Sequence, residues 1–274
     1  MKNVLLFGYG KMGSSIARGW MLKQLEFNFF IIEKEAVLRK IAHKDGFKAY
    51  TNTNFLHESE NFKKIDIIFL AVKPQQMEDT IKNFSNFIFS ELVFISIAAG
   101  LSFSWFRKKV NKDIKIVRAM PNLPASIGFG VTGYCKSKNL SEEDNEDVYA
   151  LLSAFSKIIY LNNESLIDNV TAISGSGPGY IFYLVEVITQ IAMDQGLTLQ
   201  DAKTLARETL IGSARLIETS DIDTKILKDN VTSPGGTTEA GLLVLESKTN
   251  GLYPLLKLTI KNAIKRAKEL NYNG

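Results

Sequence analysis

The chain of 274 residues has few of the side chains on which metal sites and nucleophilic sites depend. It has one cysteine, Cys135, so no disulfide can form within a chain, and we expect a reducing, cytoplasmic compartment. It has two histidines, His43 and His57, and no His/Cys/Asp cluster with metal-ligand spacing. The composition therefore predicts no metal site, and it offers no obvious members for a hydrolase triad.

Long apolar runs and a strong charge of one sign are also lacking. The most apolar helical segment, 181–193, is interrupted by Glu186 and Gln190 and is too short to span a bilayer. The net charge is +4, and the lysines of the most basic stretch, 257–268, recur at helical spacing, which favours a solvated helix face. We therefore expect neither a membrane nor nucleic acid as a partner, and no targeting segment before the first strand.

Short apolar runs alternate with helix-length segments in the first 160 residues. The runs 65–72 and 92–97 are nearly continuous in apolar and β-branched residues, which is typical of parallel strands covered on both faces. Strands are predicted at 4–7, 29–32, 65–72, 92–97, 114–117 and 158–161, and helices between them at segments such as 14–24, 35–44 and 75–84. The alternation predicts an α/β domain over 1–162 with a doubly wound, mostly parallel sheet.

The pattern changes after about residue 162, where helical periodicity replaces the strand-like runs. Thr198 and Asp201 resemble a capping box at a helix start. Helices are predicted at 180–195, from 198 toward 217, and at 224–230, 237–247 and 253–270. Several of them are apolar on more than one face. We therefore expect an all-α domain over 163–274 that completes its core against a second copy of the chain.

A glycine-rich turn follows the first predicted strand and opens a helix, which is the context of a dinucleotide-binding fingerprint. Gly8 would permit the tight turn, Gly10 the close approach of a pyrophosphate, and Gly13 the packing of helix on strand. The N–H groups of the helix start would face the phosphates. The candidate cofactor-binding residues of this turn are Gly8, Gly10, Lys11, Met12 and Gly13.

The end of the second predicted strand carries charges that bear on the choice of coenzyme. Glu33 would accept hydrogen bonds from the adenosine ribose and repel a 2′-phosphate, which favours NAD. Lys34 beside it, with Arg39 and Lys40 beyond, would favour NADP. Glu33 and Lys34 are candidate cofactor-binding residues, and both coenzymes stay open.

Three further loops follow predicted strands at their carboxyl ends, where ligands bind in open α/β sheets. The small residues in them leave room for a flat ring, so the loops together could frame a nicotinamide. Their candidate residues are Ala71, Val72, Lys73 and Pro74, then Ala98, Ala99 and Gly100, then Met120, Pro121 and Asn122. Such a site suits hydride transfer, because the cofactor itself carries that reaction.

Two segments of the helical half combine glycines with hydroxyls. The segment 174–179 is predicted to be a loop before a long apolar helix. In 230–238, the N–H groups of Gly236, Thr237 and Thr238 would lie exposed at a helix start and suit a small carboxylate. The candidate substrate-binding residues are Ser176, Ser233, Gly235, Gly236, Thr237 and Thr238. Glu239, the next residue, suits the positive end of the helix dipole.

The chain resembles the pyrroline-5-carboxylate reductase family essentially from end to end. The most specific segments are VTAISGSGP (170–178), LKDNVTSPGGTT (227–238) and VRAMPN (117–122). The resemblance implies a Rossmann-like first domain and a helical second domain that interweaves with its twin. It also implies reduction of the C=N bond of 1-pyrroline-5-carboxylate to L-proline, the last step of proline biosynthesis.

The resemblance further implies NADPH or NADH as coenzyme, usually NADPH, and homodimers that sometimes assemble into decamers. The family's substrate-contacting threonine corresponds to Thr238, the one candidate catalytic residue, whose hydroxyl would hydrogen-bond the ring nitrogen.

Two other functions fit parts of the sequence. An imine or 3-hydroxyacid reductase of the same two-domain plan is one, although hydroxyacid members need a lysine base and Lys203 lacks a suitable motif around it. A non-catalytic dinucleotide sensor is the other. It would keep the turn at Gly8 but has no reason to keep the segment 233–238.

Overall fold

The structure is a computed structural model that describes residues 1–54, 65–82 and 91–272. Backbone contacts divide the chain into two compact units. The first comprises Met1–Ser176 and the carboxyl-terminal residues from Ala263, and the second comprises Gly177–Asn262. The domain boundary at 162/163 stays a prediction. No helix among the described residues is long and apolar enough to cross a membrane.

The first unit is built on one sheet. Its described strands are β1 (Lys2–Phe7), β2 (Phe27–Ile32), β3 (Lys48–Tyr50), β4 (Ile67–Leu70), β5 (Val93–Ser96), β6 (Lys115–Met120), β7 (Gly130–Lys136) and β8 (Ser156–Tyr160). They lie in the order β3-β2-β1-β4-β5-β6-β7-β8, and every described pair is parallel except β6 with β7. The predicted doubly wound, mostly parallel sheet is therefore confirmed.

Helices cover both faces of this sheet. Because alternate residues of a strand point to opposite faces, the side chains of one strand enter two separate cores. In β1, Val4 and Leu6 pack in one cluster with Trp20, whereas Leu5 and Phe7 lie in the other. The described helices of this unit are α1 (Lys11–Leu22), α2 (Ala36–Lys44), α3 (Met77–Ile81), α4 (Phe103–Lys109), α5 (Glu142–Ser153) and α6 (Leu166–Val170), with 3₁₀ turns at Pro74–Gln76 and Leu123–Ile127.

Two strands, β3 and β7, are absent from the strands predicted above. β3 has only three residues, and β7 contains Gly130 and Gly133, which lower its strand propensity. The glycines serve packing instead. A Cβ at Gly130 would lie 2.6 Å from the Cβ of Ala125, and one at Gly133 would lie 2.8 Å from Val170.

The second unit is helical, as predicted. Its helices are α7 (Gly177–Asp194), α8 (Leu199–Thr219), α9 (Thr224–Asn230) and α10 (Thr237–Leu245), and α11 (Leu252–Tyr272) begins in it. At the start of α8, Thr198 Oγ1 accepts the N–H of Asp201 at 3.2 Å and donates to the Asp201 carboxylate at 2.7 Å. The predicted capping interaction is therefore present, although the carboxylate binds the hydroxyl rather than a backbone N–H.

The prediction of a loop at 174–179 is wrong. A π-helical turn, Thr171–Gly175, follows α6 directly, and α7 begins at Gly177. The N–H of Ser176 donates to the carbonyl of Thr171 at 2.8 Å, five residues back. None of the three glycines of this segment has a positive φ angle, so they do not serve as left-handed turn residues. A Cβ at Gly175 would lie 2.9 Å from the Met120 methyl group, which shows that this glycine serves packing.

Candidate functional site

The candidate cofactor residues lie at one edge of the sheet. The strands β2, β1, β4, β5 and β6 are adjacent and parallel, so the loops that follow them share that edge. The winding of the chain reverses between β1 and β4, and ligands bind beside such a reversal in open α/β sheets. The topology therefore brings all five predicted cofactor segments to the edge where a nucleotide would bind.

The glycine turn after β1 is tight on one side and open on the other. Gly8 has a φ of +92°, and its N–H donates to the carbonyl of Ile32 at 2.9 Å. A Cβ at Gly13 would overlap the carbonyl oxygen of Gly8, whereas a Cβ at Gly10 would meet nothing within 4 Å. The turn is thus packed against its own helix at Gly13 and accessible at Gly10.

The start of α1 offers backbone N–H groups that no side chain caps. Gly10 is the N-cap, and the first turn contains no acidic residue. Lys11, Met12 and Gly13 occupy the first three helical positions, whose N–H groups lie outside the helix ladder. Together with the positive end of the helix dipole, they suit an anion such as a pyrophosphate.

A cavity of about 330 Å³ lies at this edge. The candidate cofactor residues that line it are Gly8, Gly10, Glu33, Lys34, Ala71, Val72 and Lys73. Thr51, Asn52, Gln76 and Thr80 also line it and were not singled out in the sequence. Thr51 and Asn52 directly follow β3, so recognition of that short strand would have pointed to them.

Glu33 is held by the backbone of the cavity wall. Its carboxylate accepts the N–H of Tyr9 at 2.7 Å and the N–H of Glu35 at 2.9 Å. Arg39 does not pair with it, because Nη1 of Arg39 donates to the carbonyls of Glu33 at 2.8 Å and of Lys34 at 2.6 Å. A fixed carboxylate and the exposed Lys34 therefore lie side by side where the coenzyme preference would be decided.

Tyr9, inside the glycine turn, is anchored by a charged residue of α1 and by the charged residue that follows α2. Its hydroxyl donates to Asp45 at 2.7 Å, and Arg18 Nε donates to the same carboxylate oxygen at 2.9 Å. Burial raises the pKa of the Tyr9 hydroxyl, and the Asp45 carboxylate acts in the same direction. Burial opposes ionisation of Asp45, but the bonds from Tyr9 and Arg18 outweigh it and lower the pKa. The anchor therefore joins a neutral phenol to an ionised carboxylate at neutral pH.

The loops after β4 and β5 are fixed by close contacts. The N–H of Ala71 donates to the carbonyl of Phe7 at 2.8 Å, and a Cβ at Gly8 would lie 2.8 Å from the carbonyl oxygen of Ala71. Gly100 has a φ of +78°, and a Cβ there would lie 3.1 Å from Leu270. The predicted residues at 98–100 and 120–122 share the sheet edge but do not line the 330 Å³ cavity.

An ion pair between buried Arg118 and half-buried Glu164 fixes the start of α4, after the 98–100 loop. Arg118 Nη1 donates to Glu164 at 2.6 Å, and the same carboxylate oxygen accepts the N–H of Phe103 at 2.7 Å. Asn122, further along the segment 117–122, accepts the N–H of Val131 at 3.0 Å. These residues hold the loops in place, and only Asn122 of this set was singled out as a candidate.

The loop between α9 and α10 has its own internal hydrogen bonds. Gly235 has a φ of +72°, and the N–H of Gly236 donates to the carbonyl of Ser233 at 2.9 Å. The expectation that the Gly236 N–H is exposed for a ligand is therefore wrong, because a turn uses it. Thr237 and Thr238 are the first two residues of α10, and no side chain caps that helix start.

Comparison with known proteins identifies the family. Residues 164–270 match the family model described as pyrroline-5-carboxylate reductase dimerisation, and residues 3–100 match the model described as NADP oxidoreductase coenzyme F420-dependent. The chain is 34% identical over 267 residues to a pyrroline-5-carboxylate reductase of Methanosarcina acetivorans, with 96% of each chain covered. The chain belongs to the pyrroline-5-carboxylate reductase family. A reductase of Aquifex aeolicus is 31% identical over 265 residues, which cover 97% of this chain and 96% of that one.

Solved structures of the pyrroline-5-carboxylate reductase family share the fold. One from Coxiella burnetii has a TM-score of 0.87 and 30% identity, with 98% of each chain covered. A Plasmodium falciparum pyrroline carboxylate reductase with NADP bound has a TM-score of 0.79 and 28% identity, with 98% of each chain covered. The resemblance found in the sequence, and the Rossmann-like and helical folds that it implied, are therefore confirmed. The individual site residues stay predictions.

Proposed function

We propose that the chain reduces the C=N bond of 1-pyrroline-5-carboxylate to L-proline with NAD(P)H, the last step of proline biosynthesis. The observation that carries the proposal is the match to pyrroline-5-carboxylate reductases over nearly the whole length of the chain. The separate geometry of each unit supports it, because one unit suits a dinucleotide and the other carries a loop suited to a small carboxylate.

The amino-terminal unit fits NAD(P)H. The open space at Gly10 and the uncapped start of α1 suit the pyrophosphate, and the cavity beside Glu33 suits the adenosine ribose. When bound, the reduced nicotinamide would supply a hydride to the C=N carbon of the imino acid. The remaining candidate cofactor residues are proposed to frame the nicotinamide at the same sheet edge.

The loop before α10 is proposed to bind the substrate. The N–H groups of Thr237 and Thr238 would bind its carboxylate, and the Thr238 hydroxyl would hydrogen-bond the ring nitrogen. Ser176 and Ser233 supply further hydroxyls. The ring is proposed to react as its protonated iminium, since protonation raises the electrophilicity of the imine carbon. Water would supply that proton, directly or through the Thr238 hydroxyl, which would take a proton from water as it passes its own to the ring nitrogen. Orientation of this kind contributes several kcal/mol of barrier reduction.

A homodimer is part of the proposal, and assembly of dimers into a decamer is its finer form. Within 177–262, all of which is described, the buried residues are Ala202, Ala206 and Gly251. The exposed large apolar residues of this unit include Ile181, Phe182, Tyr183, Leu184, Ile188, Ile191, Leu243, Val244, Leu252, Tyr253, Leu255 and Leu258. A helical unit with so small a core needs a partner to cover this surface. The match of residues 164–270 to a dimerisation model supports a second copy as that partner.

A cytoplasmic location is also proposed, since a chain with one cysteine forms no internal disulfide and suits a reducing compartment.

Cys135 lies buried on β7, and burial raises the pKa of its thiol to about 12. A buried thiol of this kind acts as a packing residue rather than a nucleophile.

The test is a turnover assay with the purified chain. Loss of NADH or NADPH absorbance with 1-pyrroline-5-carboxylate, together with formation of proline, is the expected result. Turnover of a 3-hydroxyacid instead would favour the rival reductase, in which the exposed Lys203 of α8 would need a catalytic role. Binding of the dinucleotide without any turnover would favour the sensor.

A further inference from the structure

The loop before α10 is closed by a side chain of that helix. Glu239 Oε2 accepts the N–H of Gly235 at 2.7 Å. Gly235 has a φ of +72°, a left-handed conformation that other residues rarely adopt. The next N–H, that of Gly236, is used by the carbonyl of Ser233 at 2.9 Å. Two successive N–H groups of the loop are therefore already bonded, one to a side chain of α10 and one to the loop itself, and the N–H groups of the helix start lie immediately beyond them.

The Glu239 carboxylate has two physical effects on this turn, and they oppose one another. Its hydrogen bond holds the Gly235 peptide in place, and charge-assisted bonds of this kind are stronger than neutral ones. Its charge, half-buried in the first turn of α10, interacts favourably with the helix dipole. The same charge repels a second anion at the same helix start.

We propose that Glu239 is a positioning residue that sets the affinity of this loop for a small carboxylate. Its hydrogen bond to Gly235 orders the loop, and its charge weakens the binding of the substrate anion. The inference rests on the proposed function, since it takes the ligand of the loop to be the carboxylate of the cyclic imino acid.

Glu239→Gln separates the two effects, because the amide oxygen can still accept the Gly235 N–H while the charge is lost. We expect KM for the imino acid to fall by about threefold to tenfold, with kcat within about twofold of wild type. KM for NAD(P)H should not change. The matched control is Glu218→Gln, which removes an exposed carboxylate in the last turn of α8.

Glu239→Ala removes both the charge and the hydrogen bond. We expect its kcat/KM to lie at least about tenfold below that of Glu239→Gln, because the Gly235 peptide loses its partner and the helix start is no longer held. Activity that is retained with glutamine but lost with alanine would indicate that the residue positions the loop. Circular dichroism and urea unfolding of each variant show whether a loss of activity comes instead from a general loss of fold.

Three results with the variants would overturn the inference. An unchanged KM in Glu239→Gln would show that the charge does not weaken substrate binding. A Glu239→Ala variant as active as Glu239→Gln would show that the hydrogen bond to Gly235 does not order the loop. An equal fall of KM in Glu218→Gln would show a long-range charge effect. A wild-type chain that does not reduce the imine overturns the proposed function as well, whereas active wild type with unaltered variants overturns this inference alone.

Discussion

The three glycines of the turn after β1 differ in what surrounds them. Gly8 needs its positive φ, Gly13 is packed against the carbonyl of Gly8, and Gly10 faces open space. The φ of Gly10 is −67°, which any residue adopts. A substitution at Gly10 can therefore affect ligand binding without affecting folding, whereas a substitution at Gly13 also affects the packing of the turn.

We expect Gly10→Ala to fold with the stability of wild type, because neither its backbone angles nor its surroundings oppose a methyl group. The methyl group would project into the space assigned to the pyrophosphate, so KM for NAD(P)H should rise by roughly tenfold or more. Gly13→Ala should instead lower the free energy of unfolding by about 1–3 kcal/mol through overpacking. Steady-state kinetics and urea unfolding check both variants. An unchanged coenzyme KM in Gly10→Ala would place the phosphates elsewhere.

The carboxylate of Glu33 should influence the choice between NADH and NADPH. Glu33→Gln keeps one acceptor oxygen, so it can accept the N–H of Tyr9 or that of Glu35 but not both, and it removes the charge that would repel a 2′-phosphate. We expect the ratio of kcat/KM for NADPH to that for NADH to rise by about tenfold. The control is Glu26→Gln. Glu26 is exposed and directly precedes β2, at the end of the strand opposite to Glu33, so its substitution should leave the ratio unchanged. If wild type and Glu33→Gln have the same ratio of kcat/KM for NADPH to that for NADH, Glu33 does not contact the adenosine ribose.

The hydroxyl of Thr238 is the candidate partner of the ring nitrogen. Thr238→Ala should lower kcat/KM by roughly tenfold to a thousandfold, as loss of one oriented hydrogen bond would. Thr238→Ser keeps the hydroxyl and should recover most of the activity. Kinetics with saturating coenzyme measure both. Wild-type values in Thr238→Ala would show that the hydroxyl takes no part.

At the scale of elements, the start of α5 carries a charged cap. Asp144 Oδ2 accepts the N–H of Ser141 and the Lys115 ammonium group, each at 2.8 Å, and Ser141 Oγ accepts the N–H of Asp144 at 3.1 Å. Burial opposes ionisation of Asp144, but the bonds from Lys115 and Ser141 outweigh it, so its pKa is lowered. The folded chain therefore favours the ionised form.

Because that pKa is lowered on folding, its contribution to stability is present above the ordinary carboxyl pKa and is lost as pH falls through the lowered value. We expect Asp144→Asn to reduce the free energy of unfolding by about 1 kcal/mol at pH 7. The difference from wild type should shrink toward pH 3. Urea unfolding of both proteins across this range is the measurement, and a difference that grows on acidification would contradict the assignment.

Sequence patterns predicted the elements with strong periodicity and missed those that depend on tertiary contacts. The buried strand β4 reads as a continuous apolar run, whereas β7 is interrupted by glycines that exist to admit Ala125 and Val170. The glycines at 174–179 resemble those of a loop, but Gly175 lies in a π-helical turn and packs against Met120. Local composition cannot separate a glycine used for packing from one used for turning.

The candidate site was predictable to a similar degree. The positions of the glycine turn and of Glu33 follow from the order of strand and helix, so the pattern located them. The Tyr9–Asp45–Arg18 anchor could not be found in this way, because Asp45 lies 36 positions from Tyr9 and 27 from Arg18 and meets them only in the fold. The Gly235–Glu239 bond is local, but it depends on a side-chain conformation that no sequence pattern specifies.

At the scale of the molecule, the two units differ in how they are stabilised. The sheet unit has two continuous apolar clusters, one on each face of β1. In the helical unit, large apolar side chains that would ordinarily form a core are exposed in the single chain. Since burial of apolar area is the main favourable term in folding, this unit should gain most of its stability on association.

Leu243→Glu tests that expectation. Leu243 on α10 is 72% exposed in the single chain, so a charge there would cost little in a monomer. If a second chain covers this helix, light scattering should show a dimer or larger species for wild type at micromolar concentration and a smaller one for the variant. The thermal midpoint of wild type should also rise with protein concentration, because association and folding are linked. The control is Leu22→Glu at the end of α1, 83% exposed in the sheet unit. A monomeric wild type, or equal behaviour of the two variants, would require another explanation for the exposed apolar face.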